Sequence, residues 1–197
     1  MTDKRMTPPP LSDAIIEQAQ SGDTQAFRNV VEHYQGFVYS VAFRFLQERD
    51  DARDITQDIL IKLWKNLSTY QKEVRLSTWL YKIITNQCLD HIKARQRRRT
   101  DRMTEIDSSH EIASPDSVDD AIERNEFRNL IRLASEKLTP RQRAVFVLRD
   151  LEDLSVAEVS GILGLSADVI KSNLYHARLN VAATLKPFVE QGKYFES

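Results

Sequence analysis

The sequence predicts an all-α protein: two small helical domains joined by a flexible acidic linker, the C-terminal domain a helix-turn-helix. Three observations carry this. Glycine is scarce, with five residues in 197, and no β-branched run alternates with polar residues. The periodic segments are built from Leu, Ile, Ala, Arg, Glu and Gln, which favour helix. Residues able to cap a helix stand just ahead of those segments, at Ser12, Asp23, Thr139, Ser155 and Ser166. A chain of this length suits two small domains, each with a modest core.

Residues 1–11 hold three consecutive prolines among polar neighbours and are expected to be disordered. Ser12 is expected to cap a short helix carrying Ile15 and Ile16, and Asp23, after Gly22, to cap the next. From Ala26 to Leu46 the residues Phe27, Val30, Val31, Tyr34, Val38, Val41 and Phe45 recur at steps of three and four, which makes one long buried stripe.

Asp50 or Asp51 starts a third helix. At about 100° per residue, Ile55, Ile59, Leu60, Leu63, Trp64 and Leu67 share a broad face that must pack inward. Asp54, Gln57, Asp58, Ile61 and Lys65 fall on the other side. Ile61 is then an apolar side chain flanked by carboxylates on a wet surface. One exposed isoleucine is ordinary by itself; this pattern also suits a partner with basic groups around a small apolar knob.

Residues 68–77 are polar apart from Tyr70, Val74 and Leu76, and read as a loop. Ser77 or Thr78 caps a helix from Trp79 to about Arg97. Its core face holds Leu80, Ile84, Cys88 and Ile92, with Tyr81 at the border. Its other face presents Trp79, Lys82, Asn86, Asp90, Lys93 and Arg97 and runs into Arg98 and Arg99. A basic, amide-bearing stripe with an aromatic at one end suits single-stranded or partly opened nucleic acid: cations follow the phosphates, and a ring or amide meets an unstacked base. The competing reading puts Trp79 in the core and leaves the arginines solvated.

The formal charge of −1 hides an asymmetry. Residues 1–100 hold 16 Lys/Arg against 12 Asp/Glu, residues 101–135 hold 4 against 9, and residues 136–197 hold 8 against 8. A basic block followed by an acidic one suggests a nucleic-acid surface beside a segment of opposite sign. Residues 101–121, acidic, Ser-rich and without a sustained period, are the linker between domains spanning 12–100 and 122–186.

The second domain starts with a stripe through Ile122, Phe127, Leu130, Ile131 and Ala134. Thr139-Pro140-Arg141-Gln142 places a capping residue, a proline at the first helical position and a glutamine at the third, opening a helix that continues through Val145, Phe146 and Leu148. Ser155-Val156-Ala157-Glu158 is a capping box for a helix ending between Gly161 and Gly164, and Ser166 caps a last helix from Ala167 to about Leu185. Two helices around a tight glycine-containing turn make a helix-turn-helix. Ile170, Leu174, Ala177, Val181 and Leu185 face inward. Asp168, Lys171, Ser172, Tyr175, Arg178 and Leu179 face outward, with His176 at the edge, and are placed to meet base edges and phosphates in a major groove. Phe188, Tyr194 and Phe195 near the C-terminus suggest no function.

Catalytic chemistry is not expected. His33, His91, His110 and His176 lie far apart, and Cys88 with His91 gives half a metal site without a second half, so neither a metal nor another cofactor is implied. The spacing of the five glycines builds no phosphate-cradling loop, and no small-molecule substrate is indicated. The single cysteine excludes an intramolecular disulfide and fits a reducing compartment. No apolar run approaches the roughly 20 residues of a membrane span, and the N-terminus has no apolar signal core, so the expected location is the cytoplasm.

Three collinear stretches carry a more specific signal: DARDITQDILIKLWKNL, RLSTWLYKIITNQCLDHIKARQRR and LTPRQRAVFVLRDLEDLSVAEVSGILGLSADVIKSNLYHARL. Together they resemble the extracytoplasmic-function (ECF) sigma factors of bacterial RNA polymerase over about residues 20–186. The resemblance implies a non-enzymatic promoter-specificity subunit whose partners are core RNA polymerase, promoter DNA and an anti-sigma factor. It implies that Asp54, Gln57, Asp58, Ile61 and Lys65 dock on the polymerase. Tyr70, Trp79, Lys82, Asn86, Lys93 and Arg97 would then hold the melted minus-10 strand, with a flipped base near the loop. Asp168, Lys171, Ser172, Tyr175, His176 and Arg178 would read the minus-35 duplex. The alternative, a stand-alone helix-turn-helix repressor or activator, leaves the Ile61 face and the Trp79 stripe unexplained.

Overall fold

The computed structural model describes residues 7–104 and 130–190, and among them every regular element is helical. The N-terminal half comprises α1 (Asp13–Gln20), α2 (Thr24–Leu46), α3 (Arg49–Asn66), a 3-10 turn (Leu67–Thr69) and α4 (Leu76–Thr104). The C-terminal half comprises α5 (residues 130–136), α6 (Pro140–Phe146) with a π turn over Val147–Leu151, α7 (Val156–Leu163) and α8 (Ala167–Glu190).

The capping signals place most of these boundaries. The Asp23 carboxylate accepts from the Gln25 and Ala26 amides at 2.8 and 3.0 Å and starts α2. Both capping boxes close: Gln142 with Thr139 (3.1 and 3.2 Å) and Glu158 with Ser155 (2.7 and 3.2 Å). Gly164, at φ 66°, turns the chain out of α7 in the left-handed conformation that glycine adopts without strain.

Several boundaries differ from expectation. Residues 7–11, expected to be disordered, lie against the body of the protein: His33 Nε2 donates to the Pro9 carbonyl at 2.7 Å, and Leu11 packs on the core. Proline forbids helix but not a docked extended segment. Residues 1–6 lie outside the described part. Ser12 occupies the N-cap position of α1, yet only its carbonyl, not its hydroxyl, takes part. Neither Asp50 nor Asp51 caps α3; Glu48 does, its carboxylate accepting from the Asp51 amide at 2.7 Å. α4 begins at Leu76, ahead of both Ser77 and Thr78, and continues through Thr104. The linker expected over 101–121 is therefore helical at its first four positions, and its remainder lies outside the described residues, as do Ile122 and Phe127. α8 runs past Leu185 to Glu190 with Pro187 inside it.

The α2 stripe is buried as its spacing requires, with Val30, Tyr34, Val38, Val41 and Phe45 in the interior beside Ile59 and Leu63 of α3 and Leu80 and Ile84 of α4. That core does not stop at the first half. Val145, Leu148, Val159, Ile162 and Ile170 belong to the same continuous cluster, because α6 and α7 pack on α4 while the π turn packs on α2.

Candidate nucleic-acid and partner-binding surfaces

On α3 the 3.6-residue period separates two faces. Ile55, Ile59, Leu63 and Leu67 are buried, and Asp54, Gln57, Asp58, Ile61 and Lys65 are exposed together, Ile61 at 52%. Trp64 departs from the expected inward face. It is 45% exposed, with its ring edge-on to Phe27 at 4.5 Å between centroids. Phe27 is itself only partly buried, so the indole caps the rim of the core rather than entering it. The apolar area on this face therefore includes Trp64 as well as Ile61, bordered by carboxylates and by Lys65.

The loop after α3 is held from below. Gln20 donates to the carbonyls of Leu67 and Tyr70 at 3.0 and 2.8 Å. Tyr70 is buried, and its hydroxyl donates to the Val74 carbonyl at 2.7 Å, which spans the loop. Trp79 is half-buried, with its ring centroid 5.6 Å from that of Tyr70. The expectation of a freely outward Trp79 is thus replaced by an aromatic pair at the loop base. Lys82 and Asn86, one turn apart beyond it, are exposed. Lys93 and Arg97 continue the exposed stripe, Lys93 pairing with Asp90 at 3.8 Å.

The helix-turn-helix is formed by α7 and α8. Its turn is braced by the Gly164 amide to Ser160 O (2.8 Å) and by Ser160 Oγ to Leu165 O (2.7 Å). Ile170, Leu174 and Ala177 are buried, whereas Val181 and Leu185 are only half-buried. Asp168, Lys171, Ser172, Tyr175, His176 and Arg178 are all exposed, Tyr175 at 62%. Arg178 is engaged within the domain: Nε and Nη2 donate to the two Asp150 carboxylate oxygens at 2.8 and 2.6 Å. Those hydrogen bonds, and then the carboxylate charge, push the guanidinium further above its already high range.

The spacing gave no sign of one further cluster. Glu152 is fully buried, Arg44 donates to its Oε1 at 2.6 Å, and the Tyr81 hydroxyl donates to its Oε2 at 2.9 Å. Arg143, also buried, donates to Phe45 O at 3.3 Å. The one available signal was Arg44 itself, a lone cation between Phe43 and Phe45 in an apolar run.

Family models for sigma-70 region 2 and for sigma-70 region 4 match residues 30–98 and 128–181, the segments that carry α3 with α4 and the helix-turn-helix. The ECF RNA polymerase sigma factor SigW of Bacillus subtilis is 29% identical over 171 residues, 83% of this chain and 90% of its own. The RNA polymerase sigma-H factor of Pseudomonas aeruginosa is 26% identical over 183 residues, 90% of this chain and 95% of its own. This chain belongs to the ECF sigma factors of the sigma-70 family. The fold agrees: the sigma factor RpoE of Bartonella quintana, solved in complex with the anti-sigma factor NepR, matches at a TM-score of 0.61 and 21% identity, over 83% of this chain and 98% of that one.

A stand-alone helix-turn-helix regulator does not account for a sigma-70 region 2 over residues 30–98. Among the described residues of this sigma factor, no group of three or more His, Cys, Asp or Glu could hold a metal ion, and no helix is long and apolar enough to cross a membrane. Cys88 is a core residue whose thiol is pushed far up by burial, His33 and His91 make local polar contacts with Pro9 and Asp51, and His110 lies outside the described residues.

Proposed function

We propose that this sigma factor divides promoter-specific initiation among three surfaces. The α3 face with Asp54, Gln57, Asp58, Ile61 and Lys65 docks on core RNA polymerase. Its exposed apolar centre and acidic border fit a basic partner with a complementary hollow. The α4 stripe receives the melted minus-10 strand. Lys82, Lys93 and Arg97 neutralise phosphates, Asn86 offers an amide to an unpaired base edge, and the Tyr70–Trp79 pair forms an aromatic wall beside the loop that accepts a flipped base. The outer face of α8 enters the minus-35 major groove, with Lys171, Ser172, Tyr175 and Arg178 leading and Asp168 and His176 at the margins.

No covalent step is required. Binding energy from the minus-35 contacts and the polymerase dock offsets the cost of unstacking minus-10 bases, about a few kcal/mol for an extruded base. Capture of an unpaired base shifts the duplex toward the open form because the pocket binds that form alone. The chain works in the cytoplasm, without catalytic activity of its own, and an anti-sigma partner holds it inactive by keeping the two domains together.

The observation that carries this reading is the 52% exposure of Ile61 among carboxylates on a helix separate from the helix-turn-helix. A duplex-binding regulator has no use for that face. Run-off transcription from candidate promoters, with and without core polymerase, tests it. A transcript that requires both proteins is expected; duplex-dependent regulation by the chain alone, with no core-dependent transcript, would refute it.

A further inference from the structure

Residues 7–11 run beside the loop between α3 and α4 as an extended strap. Three anchors fix it, all to helices of the first half. The Thr7 hydroxyl lies 3.1 Å from that of Tyr81, His33 Nε2 donates to the Pro9 carbonyl at 2.7 Å, and the Leu11 amide hydrogen-bonds the Tyr34 hydroxyl. Leu11 packs on the core beneath. Pro8, Pro9 and Pro10 each hold φ near about −65°, so the strap is stiff without help from regular structure. Covering the core accounts for Leu11 but not for the three prolines ahead of it.

Between strap and loop lies a solvent-open cavity of about 650 Å³. The strap contributes Pro8 and Pro10 to its lining, the loop contributes Lys72, Arg75 and Ser77, and Tyr70 faces it as well. The loop side is seated on α1, where Gln20 donates to the Leu67 and Tyr70 carbonyls and Lys72 pairs with Glu17. Both walls are therefore in place before DNA arrives, which spares the cost of ordering a pocket on binding.

The two walls differ in chemistry. A proline has a carbonyl and no N–H, and the one N–H among the backbone groups of residues 8–11, that of Leu11, is engaged by Tyr34. The strap backbone thus offers acceptors alone. The loop offers cations to a phosphate, the Ser77 hydroxyl and the Tyr70 ring. Acceptors suit the exocyclic amino groups of adenine, cytosine and guanine; thymine has no amino group.

We propose that residues 7–11 form the second wall of the pocket that receives the extruded minus-10 base, and that this acceptor wall makes the pocket favour a base with an exocyclic amino group over thymine. His33 is then a positioning residue, which acts by holding Pro9 and touches no DNA. The proposal deepens the minus-10 reading above and rests on it.

The test uses the full chain with core polymerase, on a promoter that gives a core-dependent run-off transcript. 2-Aminopurine, placed in turn at each minus-10 position of the non-template strand, locates the extruded base by its gain in fluorescence. Each natural base is then placed there and open-complex formation is measured. The parent is expected to favour amino-bearing bases over thymine by roughly two- to tenfold, the range of one neutral hydrogen bond. His33→Ala should erase most of that preference, and His33→Gln, which keeps a donor, should restore it, with polymerase binding and minus-35 affinity unchanged in both. Thr7→Val releases the other end of the strap and should act in the same direction; it decides the matter if His33→Ala lowers the melting temperature. A parent that extrudes no base or favours thymine would overturn the proposal, as would variants that keep the preference or weaken all four bases equally, while core-dependent transcription still upholds the sigma-factor reading. A parent without core-dependent transcription defeats that reading and the proposal with it.

Discussion

The Tyr81 hydroxyl donates to Glu152 across the boundary between the two halves at 2.9 Å, and nothing local in either segment announces it. Tyr81→Phe removes the donor and leaves Glu152 with Arg44. A hydrogen bond to a charged group is worth about 1.5–3 kcal/mol, so urea denaturation should show a loss of that order. Burial first, and the Glu152 charge second, push the Tyr81 phenol well above the ordinary tyrosine range. Its folded value lies above its unfolded one. The associated stability is therefore complete below about pH 10 and declines as the pH rises beyond that. Tyr81→Phe should flatten this alkaline decline.

Ile61→Arg should abolish binding to core polymerase with little effect on the fold. At 52% exposure the side chain contributes little to the core, and surface substitutions of this kind stay within about 0.5 kcal/mol. Pull-down with core polymerase and a thermal melt read the two quantities. A loss of stability matching the loss of binding would place Ile61 in the core instead. Trp64→Ala should weaken the same binding with a larger effect on stability, because its ring covers Phe27.

Arg178→Ala should weaken binding to a minus-35 duplex by about 1–3 kcal/mol if the guanidinium meets a base edge. The pair it leaves, to Asp150, is on the surface and worth no more than about 1 kcal/mol. Asp150→Asn is the control: it keeps the neighbour's shape, frees Arg178, and should not reduce duplex affinity. Equal losses in both variants, read by fluorescence anisotropy, would show that the ion pair shapes the domain and that Arg178 does not contact DNA.

Glu48→Ala should destabilise the first domain by about 1 kcal/mol at neutral pH, the usual worth of an N-cap. Desolvation favours the neutral acid, but the amides of Asp51, Asp50 and Arg49 outweigh it together and hold the carboxyl below its ordinary range. A depressed folded value means the cap's contribution is present above about pH 4.5 and disappears as the pH falls through the folded value. The gap between parent and variant in urea midpoints should close on acidification.

Much of this molecule is written in local pattern. The α2 stripe, the two capping boxes, the turn at Gly164 and the exposed set on α3 all follow from residues within a few turns of one another, where a period of 3.6 and a cap suffice. The departures share a cause. The period puts Trp64 on the face that packs inward, yet it stays 45% exposed because its ring meets the half-buried Phe27 of another helix and caps the rim of the core. Tyr70 reads as a loop aromatic available to a base, yet its hydroxyl finds the Val74 carbonyl and its ring finds Trp79. The prolines before Leu11 forbid a helix, and only the presence of His33 and Tyr81 decides that the segment docks.

By itself the sequence determined that the chain is helical, where most helices start, which faces are wet, and that those faces belong to a sigma factor. Only the tertiary structure decided that the two halves share one core and that Arg44, Tyr81 and Glu152 meet. Periodicity and capping are properties of neighbouring residues. A contact among positions 44, 81 and 152 depends on how whole helices are placed against one another, and the free energy that places them comes from burying surfaces such as Val145, Leu148 and Ile162, which read in sequence as the core of one domain.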